Sequence, residues 1–463
     1  MAISFDHSNL LAAMVGEANG LTPAEIKQAT PAAWEALASF RKSSDAQTYG
    51  FPGLPSQTDV AKSILKYAEE MRGSFDTVCL VGIGGSALGA WALDCGMRGP
   101  HPVQRAFSAS HPRLVILDNV DPSFVEAALD SMSPKKTLVV VVAKSGSTAE
   151  TISTFLIVRD WLTSKLGRKA SGRIAVVTSA GKGDLKQLAT DEDYATFHLP
   201  DNVGGRLSGL SAAGEVPAAL IGIASRKLLK GAAAMTETSW EKNLETNLAL
   251  RGALLHHLIW KARHKTIQVA FPYSNRLWGT AFWFRQLWAE SLGKAKTRDK
   301  QEVHEGQTPV AALGTTDQHL QVQLYMEGPN DKVFTFWAVN KFSAAGRIPK
   351  DRTGYEAFDY LAGQSLGKLI DAERRATAAA LTENGRPNCT FTLDRVDEEH
   401  LGAFLQLMEF ETAFIGEMLN INAFDQDGVE LGKKYTFALM GRKGYDEYSQ
   451  RFDAYEKKRA KAK

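Results

Sequence analysis

The chain has 463 residues, 44% of them hydrophobic and 23% charged, with a formal net charge of +2. That length can bury a large core and predicts two domains. The near-neutral charge argues against a nucleic-acid binder, and no apolar stretch approaches the length of a membrane span.

The first fifty or so residues read as helical packing, with Thr22-Pro23-Ala24-Glu25 as a helix start. From about Phe75 to Pro200, strand and helix patterns alternate. Apolar runs at Thr77–Val81, Leu114–Leu117, Leu138–Val142 and Ile174–Val177 predict strands. Ala87–Leu93, Pro122–Leu129 and Ala149–Leu166 carry helical periodicity between them. Such alternation predicts a parallel sheet covered on both faces, with the loops after its strands gathered along one edge. Pro217–His264 reads as mostly helical. A second block then offers strands at Ile267–Phe271, Val310–Leu313 and Val333–Val339, with a helix across Leu277–Leu292. Asn422 to Gly441 adds a loop and a helix. The basic run Lys457–Lys463 reads as a solvated helix end.

Three cysteines, Cys79, Cys95 and Cys389, are widely spaced and form no CxxC, so neither a disulfide framework nor a zinc ribbon is indicated. The N-terminal residues lack a basic segment followed by an apolar one. A reducing, cytoplasmic location is the expectation.

Three loops look built to grip a phosphate. Gly82-Ile83-Gly84-Gly85-Ser86 follows the first strand and opens a helix, where free N–H groups and the helix dipole attract an anion. Lys144-Ser145-Gly146-Ser147-Thr148 places three hydroxyls beside a lysine. Gly204-Gly205-Arg206-Leu207-Ser208 sets an arginine after two glycines that permit close approach to a ligand. The expected ligand is a phosphorylated small molecule. His256 and His257 are adjacent, so they point to different helix faces and make no metal pair. No group of His, Asp and Glu has metal-ligand spacing, and neither a metal nor another cofactor is predicted.

In these motifs the chain resembles the glucose-6-phosphate isomerase family, built from two sugar-isomerase domains. The first two loops look like its phosphate loops. Val203–Gly214 resembles the stretch with its catalytic-site arginine, and Gln286–Lys294 the stretch with its catalytic glutamate. Gly314–His319 and Phe424–Lys433 resemble the stretches carrying its histidine and its terminal lysine. Ala143, Ser145 and Gly146 differ from many animal members and look more like compact bacterial forms.

The resemblance implies an α/β fold with two three-layer αβα domains, each a mainly parallel sheet flanked by helices. The implied division is a helical extension at 1–55, a first domain at 56–225, a second at 226–440 and a C-terminal helix at 441–463. It implies isomerisation between D-glucose 6-phosphate and D-fructose 6-phosphate, in glycolysis and gluconeogenesis. Gly85, Ser86, Lys144, Ser145, Gly146, Ser147 and Thr148 would hold the phosphate. His319 and Lys433 would open the sugar ring. Glu290 would shuttle a proton between C1 and C2 through a cis-enediol, since a carboxylate can take and return the same proton. Arg206 would favour the enediolate charge, while Gln286 and Gln426 would orient hydroxyls or a catalytic partner. The family also implies a homodimer in which His319 reaches the neighbouring chain's site.

Two other readings compete. Gly82–Ala87 satisfies the G-x-G-x-x-A dinucleotide fingerprint and Asp118 follows the second strand, as in an NAD(P)-dependent oxidoreductase. The hydroxyl-rich second loop is machinery that a dinucleotide does not require. A non-catalytic sugar-phosphate sensor on the same domains would keep the phosphate loops. It would have no reason to keep Glu290, His319, Lys433 and Arg206 together.

Overall fold

The computed structural model describes all residues except 1–2, 101–111, 147, 182, 351–352 and 463. The chain opens with a strand, β1 (Ile3–Asp6), a single helical turn, α1 (Ala12–Val15), and two longer helices, α2 (Pro23–Asp45) and α3 (Thr58–Met71). α2 begins where the sequence predicts, because Thr22 and Glu25 cap one another: Glu25 N–H donates to Thr22 Oγ1 at 3.2 Å, and Thr22 N–H to Glu25 Oε2 at 2.8 Å.

The first sheet then forms from β2 (Thr77–Val81), α4 (Leu88–Arg98), β3 (Arg113–Leu117), α5 (Pro122–Asp130), β4 (Thr137–Val142), α6 (Ala149–Leu166), β5 (Ile174–Ser179), α7 (Asp184–Asp191) and β6 (Ala195–Leu199). Its order is β3-β2-β4-β5-β6, all parallel. β2 and β4 are buried at every position, which is why they read as unbroken apolar runs. Val139, Val141 and Val176 meet Phe155, Val158 and Leu162 of α6 in one core on this sheet.

α8 (Ala212–Leu220), α9 (Ser225–Ser239) and α10 (Leu248–Arg263) lead to the second sheet. There follow β7 (Ile267–Pro272), α11 (Trp278–Leu292), a small ribbon of β8 (Lys294–Lys296) and β9 (Glu302–Glu305), β10 (Thr308–Ala311), α12 (Val322–Glu327), β11 (Lys332–Lys341), α13 (Leu366–Glu383) and β12 (Asn388–Arg395). The order is β1-β12-β11-β7-β10, with β1 antiparallel and the rest parallel. α14 (Glu398–Met418) is buried at every position from Leu401 to Glu417. Two of its carboxylates find partners, Glu417 with Arg298 and the Ser39 hydroxyl and Glu411 with His256. Neither oxygen of fully buried Glu409 has a partner among the described residues, and burial holds its carboxyl well above the usual carboxylate range.

One expectation needs correction. Residues 1–55 are not helical throughout, because Ile3–Asp6 forms the edge strand of the second sheet, with Phe5 stacked on Phe391 at 4.2 Å. Met1–Ala423 form one compact unit that contains both sheets, and Phe424–Lys463 form a second. That second unit holds α15 (Glu430–Leu439) and α16 (Asp446–Lys461), joined by ring contacts such as Tyr435–Phe452 at 5.6 Å. No helix among the described residues is long and apolar enough to cross a membrane.

One buried carboxylate makes stability depend on pH. Glu215 in α8 is 3% exposed, and its Oε1 has no partner among the described residues. Burial pushes its carboxyl from 4.5 up to about 8. A raised folded-state value means that the neutral form suits the fold. Its contribution is complete below about pH 4.5 and is lost as pH rises toward 8. Glu215→Gln, measured by thermal unfolding, is therefore expected to match the parent at pH 4.5 and gain on it up to pH 8. Each pH unit crossed in that window adds at most ~1.4 kcal/mol to the gain. A difference that does not change with pH would show that Glu215 ionises freely in the fold.

Candidate active site

β2 and β4 are parallel neighbours, with Val81 opposite Val141, so the loops after them leave the sheet side by side. In the first loop Gly84 has φ +57°, and a Cβ there would meet Gln286 Nε2 at 2.9 Å. The chain then makes a short turn, Gly84–Ser86, before α4. The Ser86 hydroxyl makes no hydrogen bond among the described residues and is available to a ligand. In the second loop, left-handed Gly146 packs against Leu185 and turns the chain into α6. Thr148 is the N-cap of α6, yet its hydroxyl does not cap the helix. Ser145 is exposed, and Ser147 lies outside the described residues. An anion between these loops would meet hydroxyls and the positive end of an 18-residue helix.

Lys144 is tied within the chain. Its ammonium donates to the carbonyls of Asp201 and Val203, both at 2.8 Å. Half-burial lowers its pKa, with the Asp201 charge opposing the shift. The lysine thus ties the second loop to the segment that carries Arg206.

That segment also packs on the first loop. A Cβ on Gly85 would lie 2.2 Å from the Gly205 carbonyl carbon, and one on Gly89 would lie 2.6 Å from Gly209 Cα. Only glycine permits this approach. Arg206 is 2% exposed, and groups from distant parts of the chain hold its guanidinium. Nε donates to Ser291 Oγ at 2.8 Å, Nη1 to Glu290 Oε2 at 3.1 Å and Nη2 to the Ala423 carbonyl at 2.6 Å. Trp283 Nε1 donates to the Arg206 carbonyl at 3.2 Å and fixes the backbone as well.

Glu290 stands near the C-terminal end of α11 with its side chain 31% exposed, so it is both anchored and accessible. Gln286, one turn earlier, donates from Nε2 to Glu290 Oε1 at 3.0 Å. The Gln286 Oε1 atom is buried and without a partner among the described residues. Both oxygens of one carboxylate are therefore oriented, and a fixed positive charge lies beside it. That pairing suits a proton transfer that creates negative charge nearby.

His319 sits elsewhere, on the turn Thr316–Gln318 that follows β10. It is exposed, and its ring makes no hydrogen bond or ion pair among the described residues. Buried Asp317 braces the turn by accepting from Leu313 N–H at 2.5 Å and from Gln321 Nε2 at 2.6 Å. Leu320 and Leu324 beyond it are 71% and 53% exposed. Gln426 and Lys433 belong to the second unit. Both are exposed, and the Lys433 ammonium pairs with Glu430 at 2.7 Å.

The structure thus brings together Gly85, Ser86, Lys144, Arg206, Gln286 and Glu290. Sequence reasoning assigned no role to Ser291, Trp283 or the Ala423 carbonyl. Ser291 follows Glu290 directly, and its neighbourhood was the only signal for it.

The chain thus combines two mainly parallel sheets flanked by helices, hydroxyl-bearing loops at one strand edge and a carboxylate held by an arginine. The sequence profile of phosphoglucose isomerase matches residues 66–457. A glucose-6-phosphate isomerase of Carboxydothermus hydrogenoformans is 40% identical over 453 residues, which cover 97% of each chain. A hypothetical protein from Thermus thermophilus superposes with a TM-score of 0.85 at 35% identity, over 95% of this chain and 100% of that one. A glucose-6-phosphate isomerase from Chlamydia trachomatis does so at 0.75 and 25% identity, over 86% and 77% of the two chains. The chain belongs to the phosphoglucose isomerase family.

Proposed function

We propose that the chain carries out its family's reaction with the residues described above. It interconverts D-glucose 6-phosphate and D-fructose 6-phosphate, an intramolecular aldose–ketose isomerisation of glycolysis and gluconeogenesis. The observation that carries the residue assignment is the Arg206–Glu290 pair, oriented by Ser291 and Gln286 beside the two phosphate loops. Ser86, Ser145, Ser147 and Thr148 bind the phosphate, with Gly85 and Gly146 leaving room for it. Lys144 braces the arginine segment and adds positive charge. His319 and Lys433, assigned on their family motifs, open the ring. Glu290 removes the C2 proton of the open-chain aldose and returns it to C1, through a cis-enediol whose developing charge Arg206 stabilises. Gln286 and Gln426 orient hydroxyls. The route assigns no step to a metal or other cofactor, and the working location is cytoplasmic.

The active unit in this reading is a homodimer. Support comes from His319, which stands exposed on a braced turn beside the exposed leucines Leu320 and Leu324. Two-fold pairing would set each histidine in the other chain's site. A coupled assay following glucose 6-phosphate formed from fructose 6-phosphate tests the reaction, and subunit exchange tests the sharing. Parent protein is expected to turn over substrate, while His319→Ala and Glu290→Gln chains are each inactive alone. Mixing them should restore activity, because one site of each mixed dimer carries neither defect. No turnover by the folded parent would sink the isomerase assignment. Inactive mixtures in which mixed dimers are shown to form would place His319 in its own chain's site.

A further inference from the structure

A cavity of about 370 Å³ opens at the C-terminal edge of the second sheet. Ser274, Asn275 and Arg276 line it from the turn after β7, Lys341 and Ser343 from the end of β11, and Arg395 from the end of β12. Its place in the topology matches that of the phosphate loops. In the first sheet the chain runs from β2 to β3 on one side and then crosses to β4 on the other, so it reverses between β2 and β4. The phosphate loops follow those two strands. In the second sheet β7 leads to β10 on one side and β10 crosses to β11 on the other, so the reversal lies between β7 and β11. Open parallel sheets bind ligands at such reversals, where diverging connections leave a crevice. The local build repeats as well. β2 passes through a short turn, Gly84–Ser86, into α4, and β7 through Asn275–Leu277 into α11.

The cavity is cationic. Lys341 and Arg395 share one carboxylate, Asp394, at 3.1 and 3.0 Å. Arg276 has no acidic partner among the described residues, and reaches only the Val396 carbonyl at 3.4 Å. Asp397, which feels Arg395, is committed to the start of α14, where it accepts from His400 N–H at 2.9 Å. The cavity therefore keeps a net positive charge, with the Arg276 guanidinium unpaired by any acid among the described residues, which suits the anionic head of a phosphomonoester. Arginine forks and hydroxyls are the groups that recognise phosphate oxygens. The volume lies at the small end of the usual ligand-pocket range of ~300–1,000 Å³. α11 separates this cavity from the catalytic carboxylate. At a helical rise of about 1.5 Å per residue, Arg276 and Glu290 stand roughly 20 Å apart.

We propose that this cavity is a second anion site, distinct from the substrate site, which binds a small phosphomonoester. Calorimetric titration of the full chain with sorbitol 6-phosphate, which has no carbonyl to isomerise, tests it. Two sites per chain are expected. Arg276→Gln combined with Arg395→Gln should weaken one of them ~10-fold or more, the worth of one charged hydrogen bond, and spare the other. Ser86→Ala combined with Thr148→Val should show the reverse pattern. Lys341→Gln, at a side chain 64% exposed, keeps the test valid if the arginine pair is needed for folding, and should weaken the same site several-fold. A single site per chain in the parent would overturn the proposal. So would two sites whose affinities Lys341→Gln and the arginine pair leave unmoved.

Discussion

Glu290→Gln is expected to lower kcat by ~10²–10⁴-fold, the usual worth of a positioned general base. An amide cannot accept the C2 proton, so the chemical step should fail while phosphate binding survives. The surroundings also explain why the variant should fold. Glutamine can turn its carbonyl toward Arg206, which donates to Glu290 at 3.1 Å. Its NH₂ would then face Gln286, whose buried Oε1 has no partner among the described residues and can rotate to accept it. Turnover, KM and thermal unfolding measured together check this. Near-parental kcat with an unchanged fold would remove Glu290 from the role of base.

Arg206→Lys should have the second largest effect, a fall in kcat of ~10²–10³-fold, as for loss of one preorganised charge-stabilising donor. A lysine keeps the charge but cannot span Ser291, Glu290 and the Ala423 carbonyl together. Because the site is buried, stability should fall too, by about 1–3 kcal/mol for each polar partner left unsatisfied. Ser291→Ala separates the two effects. It removes only the Nε partner, so it should destabilise modestly and lower kcat far less than Arg206→Lys. If the two variants lose kcat equally, the Nε–Ser291 contact that orients the guanidinium accounts for the whole effect of the lysine substitution.

Much of this architecture was legible locally. Thr77–Val81 and Ala149–Leu166 occur with the bounds the sequence predicts. Their signals lie within the segment: an apolar run buried on both faces, and a helix opened after a glycine- and hydroxyl-rich turn. β6 and β12 escaped notice because both mix polar and apolar residues, and their strand character depends on the neighbours they pair with. β1 is the extreme case. It is four residues long with one buried side chain, and it is a strand only because β12 pairs with it.

By itself the sequence determined the family, and it carries the motifs on which the site is proposed: the two hydroxyl- and glycine-rich loops, the carboxylate and the arginine. Each is written in a few consecutive residues whose backbone needs are local. Tertiary structure alone decided how those groups are aimed. Arg206 is held by Ser291, 85 residues away, and by the Ala423 carbonyl, 217 residues away. The Lys144 ammonium reaches carbonyls 57 and 59 residues along the chain. A backbone carbonyl has no side-chain identity to read, and a buried guanidinium takes whichever acceptors the fold delivers. The cationic cavity follows the same rule, since Arg276, Lys341 and Arg395 meet only because β7, β11 and β12 end on one edge.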